Sequence, residues 1–526
     1  MENAIKIAIE RQAKKLLERQ KRKKFSSVKY KRRFFLRTGV NPLPSREREP
    51  SVWGVHPHFD PKYCISHSKY LARTIWRKIQ ERTYQVTPAI RYTVPKDSGG
   101  EREIMIFSIP DAAIANLFNR KLRDRNKNLQ SPFCYSYRND RTIFDAVLQT
   151  SSLLKDNKVY VIQYDFSKYF DSIKHDYINF MMENDDFYIS PTEKYIIERF
   201  LEHRYASSSD YREGNYLNRE KGVPQGCSLS LFLSNIAAHE LDKQLERTNG
   251  MFVRFADDVV CTAQNYSDAL NIASAFKNHC HYSGISINHD KSPGINLLRG
   301  ESQSDDRLYF IDGSDIGELE TIDEFDYIGH KFSRNSVKMS DRALKRIKSR
   351  ISRIIYVHLL HNLKRGNPFS ASRVGNDFYD WDLVTCINEI RRYMYGGLRE
   401  ARLNSFINDN RRISRFKGLM SFYPLVTSVQ QFAELDGWLV SALRRAIKER
   451  ARLIHVSTGQ VLEPLPEASI ISGDWYQFAG GIELETGAPS FVLAWRAARK
   501  AFRQYGLTDF EAPSYYSSVF EMFDTY

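Results

Sequence analysis

The chain is short of cysteine, of long apolar runs and of acidic charge. Its six cysteines (Cys64, Cys134, Cys227, Cys261, Cys280 and Cys386) are scattered, with no C-x-x-C pair. That argues against a zinc ribbon or a disulfide framework and fits a reducing compartment. No stretch approaches the roughly 20 apolar residues that cross a bilayer. The first residues, MENAIKIAIERQAKKLLERQKRKK, also lack the apolar run of a signal peptide. The expectation is a soluble, cytoplasmic protein with no membrane partner. Acids number 63 against 78 Lys and Arg, a formal net charge of +15, which favours a polyanionic partner such as nucleic acid.

What the chain does have is length and apolar mass. Its 526 residues are 42% hydrophobic and 13% aromatic, enough for two to four domains with sizeable cores. The basic excess is concentrated at the start, where Lys21, Arg22, Lys23 and Lys24 precede Lys29, Lys31, Arg32 and Arg33. Ile and Leu residues between 5 and 17 recur at helical spacing, so a basic amphipathic helix followed by an extended arm is predicted. From residue 64 to about 335, short β-rich runs alternate with helical stretches, the pattern of an α+β domain. Two polar interruptions, 203–221 and 298–323, read as surface loops. Beyond Asp341 the strand signals mostly vanish. Leu344, Ile347, Ile351, Ile354 and His358 then form one apolar helical stripe among basic residues.

Three segments carry chemistry. In VYVIQYDFSKYFDSI (159–173) a buried-strand run ends at Asp165, where a carboxylate can hold a hard cation beside a phosphate; Asp171 is a second acid nearby. In MFVRFADDVVCTAQ (251–264) two apolar runs flank Ala256-Asp257-Asp258, the pattern of a tight hairpin with paired acids at its turn. Adjacent carboxylates repel unless a cation neutralises them, and a pair of Mg²⁺ ions would. In KGVPQGCSLSLFLSNIAAHELDKQL (221–245) glycines and Pro224 shape a turn, Ser228 is a candidate N-cap, and Gln225 sits at the mouth of an apolar helix, placed to bond a nucleotide or template.

YDFSKYFDSI, GVPQGCSLSLFLSN and FADD, in that order, resemble palm motifs A, B and C of reverse transcriptases. The resemblance extends upstream to TVPKDSGGEREI (93–104), then IPDAAIANLFNRKLRDR with SPFCYSYRNDRT (109–142), and downstream to GISINHDKSPGI (284–295) and FDYIGHKF (325–332). It implies a right-hand polymerase, with fingers and a ferredoxin-like palm sheet, an α-helical thumb and a helical C-terminal extension. The corresponding divisions are a basic N-terminal helix or arm (1–63), fingers and palm (64–340), thumb and further helices (341–455) and a tail (456–526).

By the same resemblance Asp165 and Asp257 ligate two Mg²⁺ ions, which Mn²⁺ could replace, and Asp258 supports them. Lys96 and Arg102 grip the incoming triphosphate, Gln225 lies in the dNTP and template pocket, and Lys291 protonates the leaving pyrophosphate. Phe170 stands where a bulky aromatic blocks a ribose 2′-hydroxyl, which favours dNTPs. FDYIGHKF resembles the primer grip. The implied partners are an RNA template, dNTPs and a DNA product, with room for a homo-oligomer or a partner protein.

HNH or zinc modules, retron signatures and an RNase H-like acidic set are missing from the sequence. What remains is most similar to the bacterial "unknown group" and abortive-infection reverse transcriptases, several of which act in antiphage defence. That implies a dedicated non-coding RNA template. Priming by Tyr505, Tyr515, Tyr516 or Tyr526, template-independent synthesis, and a catalytically silent RNA-binding scaffold are the alternatives left open.

Overall fold

In the computed structural model the described residues are 1–41, 49–95, 100–155, 159–184, 186–299, 307–312, 315–369, 374–375, 379–476, 484–507 and 510. The chain forms two compact units: the first holds 1–20, 47–328 and 333–335, the second 21–46, 329–332 and 336–526.

The first unit is built on a six-stranded sheet. In chain order the unit's strands begin with β1 (Ala89–Pro95), which pairs antiparallel with β2 (Glu101–Ile106), Val94 facing Arg102, and run on to β12 (Asp315–Ile322). Next come β3 (Val159–Tyr164), β4 (Phe166–Ser167), β5 (Arg204–Ala206), β6 (Leu217–Asn218), β7 (Met251–Phe255), β8 (Asp258–Ala263), β9 (Ser286–Ile287), β10 (Gly294–Leu298), β11 (Arg307–Asp312) and finally β12. The large sheet runs β11-β12-β10-β3-β8-β7, and β2-β1-β5-β6 form a smaller one. Val, Tyr and Ile make β3 a strand buried from Val159 through Ile162, and it pairs antiparallel with both β8 and β10. Asp165 falls where that central strand ends. Helix Tyr266–Ser283, which Asn265 caps by accepting from the Asp268 N–H, packs against β3 and β8.

Mixed α and β content with a helical C-terminal region is as expected, but several local readings change. The amphipathic start is not a helix with an extended arm: Glu2–Thr38 is one continuous helix. Ile5, Ile9 and Ala13 are fully buried in the first unit's core. In the second unit the far end of that helix is also enclosed. The Arg37 guanidinium donates to Asp382 (2.9 Å) and contacts His358 Nδ1 (2.6 Å), with all three side chains buried. The stretch 203–221, expected as loop, contains β5, a one-turn helix (Asp210–Glu213) and β6. Likewise 298–323 contains the β11–β12 hairpin. These strands are short and sit among polar and acidic residues, so the sequence around them reads as loop. Ser228 precedes helix Leu229–Ala237 but makes no capping bond; its backbone is already helical there.

The second unit is mainly helical. Ser340 caps Asp341–Ile355, whose Ile347, Ile351 and Ile354 are buried as the stripe predicted. Helices Trp381–Tyr395, Glu400–Asp409, Gln430–Thr458 and Phe491–Tyr505 follow. All six cysteines are free thiols; five are buried and Cys280 is half-buried. Among the described residues no helix is long and apolar enough to span a membrane.

Candidate functional site

The β7–β8 connection is the tightest the chain can make. Phe255 pairs with Asp258, so the turn consists of Ala256 and Asp257 alone. Such two-residue hairpins need left-handed backbone and normally recruit Asn or Gly. Here Ala256 takes φ 62 instead, a strain of about 1–3 kcal/mol for a residue with a Cβ. The groups that hold it are visible. Arg254, 1% exposed, donates from Nη1 to the Ala256 carbonyl (3.2 Å) and to Asn235 Oδ1 (3.1 Å), and its Nε and Nη2 form a fork on Asp242 (2.7 and 2.5 Å). The Tyr327 hydroxyl donates to the carbonyls of Val253 (2.9 Å) and Asp258 (3.2 Å), clamping both strands.

Asp165 is fixed from the other side of β3. Its N–H donates to Ser292 Oγ (2.9 Å) and its carbonyl accepts from the Asn288 N–H (2.7 Å), while β4 pairs with β9. This ties the first acid to the segment that carries Lys291, in the short 3-10 turn His289–Lys291. The two side chains feel one another: burial raises the Asp165 pKa, and the Lys291 charge opposes that rise.

The three acids form one electrostatic group. Burial raises the Asp257 pKa, Asp165 adds to the rise, and Arg102 and Arg254 work against it. Asp258 keeps contact with solvent, yet the atoms around it push its carboxyl up to about 7. Burial is the largest cause, repulsion from Asp257 the next, the Ile328 backbone bond opposes, and Asp165 adds a further push. No group of three His, Cys, Asp or Glu among the described residues already stands in a metal-holding arrangement. As a donor set, though, three crowded carboxylates at strand ends suit a hard dication that would relieve their repulsion.

The 222–226 turn is locked onto its neighbours through main chain. Val223 N–H donates to the Phe170 carbonyl (2.6 Å) and Gly222 N–H to that of Ile173 (2.8 Å). Gly222 sits at φ 77, and a Cβ there would lie 2.7 Å from the Asp171 backbone. The Gln225 carbonyl accepts from the Met105 N–H (2.7 Å), linking the turn to β2. Phe170 is half-buried, its ring 5.7 Å from Tyr169. The Gln225 amide, expected to face a nucleotide, donates to Asp171 Oδ2 (3.1 Å). Asp171 also pairs with Arg219 at 3.6 Å. Arg102 is exposed on β2, and Lys96 lies outside the described residues.

Sequence reasoning missed Arg254, Asp242, Asn235, Tyr327, Arg219 and Tyr137. Tyr137, at φ 58, lies close enough to Asp257 that the aspartate charge adds to the burial raising its hydroxyl pKa. One signal was available: an arginine between Val253 and Phe255 in an otherwise apolar strand must find a buried partner.

The acids thus stand at the end of β3 and at the β7–β8 turn, on neighbouring strands of one sheet. In the comparison with known families, residues 94–332, just under half the chain, match the family model described as reverse transcriptase (RNA-dependent DNA polymerase). Residues 94–332 therefore match a reverse transcriptase domain. The chain is 25% identical over 173 residues to a putative COX1/OXI3 intron 2 protein of Saccharomyces cerevisiae, covering 32% of this chain and 19% of that protein. It is 26% identical over 180 residues to an uncharacterized 91 kDa protein in the cob intron of Schizosaccharomyces pombe, covering 34% and 21%. The chain thus spans about a fifth of the length of these curated relatives. Telomerase of Candida albicans in complex with the TWJ fragment of telomeric RNA aligns at TM-score 0.37 and 13% identity over 74% of this chain and 67% of that one. Apo telomerase of Candida tropicalis gives 0.36 and 13% over 73% and 70%.

Proposed function

We propose that the protein is an RNA-directed DNA polymerase that extends a primer with dNTPs on an RNA template, by a two-metal mechanism. The observation that carries this reading is the coupling of Asp165, Asp257 and Asp258 into one charge group, with Arg102 and Lys291 acting on it. Asp165 and Asp257 would hold two Mg²⁺ ions, which when bound supply charge neutralisation to the attacking and leaving oxygens. The chain does the rest. Arg102, with Lys96, grips the triphosphate; Lys291 hands a proton to the departing pyrophosphate; Gln225, released from Asp171, meets the nucleotide. Arg254 and Tyr327 keep the acids from drifting.

Phe170 selects the sugar. Its carbonyl accepts from the Val223 N–H, which holds its backbone beside the 222–226 turn. Phe170→Ala is expected to raise rNTP incorporation relative to dNTP by about 100-fold, roughly 2.7 kcal/mol of lost discrimination. Single-nucleotide extension with each labelled nucleotide measures the ratio. A ratio unchanged in the variant would remove the ring from sugar selection.

The acid cluster also predicts a pH dependence. The Asp258 pKa stands near 7 in the fold against 3.8 as a model value, so the folded protein holds a proton more readily than the unfolded chain. This group's stabilising contribution is fully present below pH 3.8 and is lost as pH rises through about 7. Bound Mg²⁺ would restore it. Because a dication competes with that proton, apparent Mg²⁺ affinity should weaken up to about tenfold between pH 7 and pH 6. Titrating Mg²⁺ against extension rate at several pH values tests this; an affinity flat across the range contradicts it.

The template is a dedicated non-coding RNA and the biological role is defence against phage, both inferred from the sequence resemblance to abortive-infection reverse transcriptases. Purified protein given labelled dNTPs or rNTPs, with and without RNA, separates templated DNA synthesis from its alternatives. Dependence on RNA and dNTPs supports the reading, and template-free product overturns it. Product attached to protein would implicate a tyrosine; Tyr505 packs against Phe406, and Tyr515, Tyr516 and Tyr526 lie outside the described residues. Phage challenge of cells carrying the wild type or Asp257→Asn tests the defence role.

A further inference from the structure

The second unit contains a basic concavity that the polymerase chemistry does not use. Its volume is 550 Å³, within the about 300–1,000 Å³ usual for ligand sites, and it is lined by Thr427, Trp495, Arg496, Arg499, Lys500 and Arg503. The cations come from one helix, Phe491–Tyr505, at spacings of three and four residues. They therefore share one face, while Ala494, Ala497, Ala498 and Ala501 bury the other. Like charges so spaced cost an isolated helix a few tenths of a kcal/mol per pair. Among the described residues no carboxylate pairs with Arg496, Arg499 or Arg503.

Two of the four cations are structural. Lys500 donates to the carbonyls of Phe406 and Ile407 (3.2 and 2.6 Å) near the end of helix Glu400–Asp409. Arg499 donates to the Val426 carbonyl, which also accepts from Trp495 Nε1 (3.0 Å). Burial lowers the Arg499 pKa and the Arg503 charge lowers it further, as in a site waiting for negative charge. Arg496 and Arg503 are exposed and uncommitted. The Trp495 ring is unavailable for stacking a base: Phe432 lies along it at 5.6 Å and Arg499 over it at 5.4 Å. The occupant is thus recognised by charge and not by base. Forked guanidinium groups suit phosphate oxygens. From Arg496 to Arg503 the helix rises about 10 Å, the reach of two or three phosphates along a strand.

We propose that this concavity is a sequence-independent binding site for the phosphodiester backbone of single-stranded RNA, separate from the polymerase site. The proposal rests on the reading of the protein as an RNA-using polymerase and locates one anchor for that RNA on the C-terminal helix.

The test uses the full-length chain with Arg496 and Arg503 both changed to Glu. Both side chains are exposed, so folding should survive. A fluorescent 30-nucleotide oligouridylate is titrated at several salt concentrations, and extension of a short oligo(dT)–poly(rA) duplex is followed in parallel. The expected result is an affinity loss of about tenfold or more and a log–log salt slope shallower by about 1.4, two contacts at about 0.7 each for single strands. Extension of the short duplex should be unchanged, and Arg→Lys at both positions should restore most of the slope. Unchanged affinity and slope would overturn the site. So would competition by tripolyphosphate at concentrations far below those of RNA phosphate, because the site would then belong to a small polyphosphate. Wild-type protein that binds RNA but does not extend would sink the proposed activity and leave this site standing.

Discussion

Asp257→Asn should abolish DNA synthesis and make the metal-free protein harder to melt. The loss follows from removing one of the two carboxylates that would carry the cations, worth several kcal/mol of charge stabilisation and hence about a thousandfold or more in rate. The gain follows from the same geometry read without metal. Asp257 raises the pKa of Asp258, and Asp165 raises both, so an uncharged amide relieves repulsion on two neighbours. After allowance for solvent around Asp258, the relief is about 1 kcal/mol. A unit of a few hundred residues then melts about 2 °C higher. Differential scanning fluorimetry in EDTA and primer extension in Mg²⁺ read the two effects from one sample. A variant that is inactive and also less stable would mean that Asp257 supports the hairpin and not a cation.

The second large effect concerns Arg254. Its charge is secured although burial works against it, because the Asp242 carboxylate more than reverses that penalty. Removing the arginine leaves Asp242 buried and alone, which costs about 3–5 kcal/mol. Arg254→Ala should therefore fold poorly. The informative variant is the double change Arg254→Met with Asp242→Leu, which replaces the pair with apolar groups and can be near neutral for stability. It still deletes the bond to the Ala256 carbonyl. If Arg254 positions the acids, the double variant keeps its melting temperature while kcat falls about 10- to 100-fold with KM for dNTP little changed. Recovery of full activity in that background would reduce Arg254 to a packing residue.

How much of this was legible beforehand differs by element. Asp165 and the Asp257-Asp258 pair could be found because each lies at the end of an apolar run with strand periodicity, a signal confined to a few neighbouring residues. The β11–β12 hairpin could not, since its pairing leaves no apolar alternation to read. The continuous helix Glu2–Thr38 was cut short because half of residues 21–38 are Lys or Arg, and burial of Arg37 against Asp382 depends on residues about 345 positions away. The same distance problem hid Tyr327. A tyrosine in FDYIGHKF reads as core, and only the fold reveals that its hydroxyl holds the carbonyls of Val253 and Asp258. Gln225 was legible in place but not in partner, because Asp171 is reached only after the 222–226 turn closes on the segment before it.

Cys280, alone among the six thiols in being half-buried, offers a practical handle. It sits on helix Tyr266–Ser283, close enough to β9 that an Ile287 backbone bond bears on its sulfur, and β9 is the strand paired with the segment just after Asp165. A maleimide dye should thus attach at one native position without engineering, slowly near neutral pH because burial raises that thiol's pKa. Its emission would then register motion of the first aspartate's strand when nucleotide arrives, turning an incidental sulfur into an optical probe of the catalytic cycle.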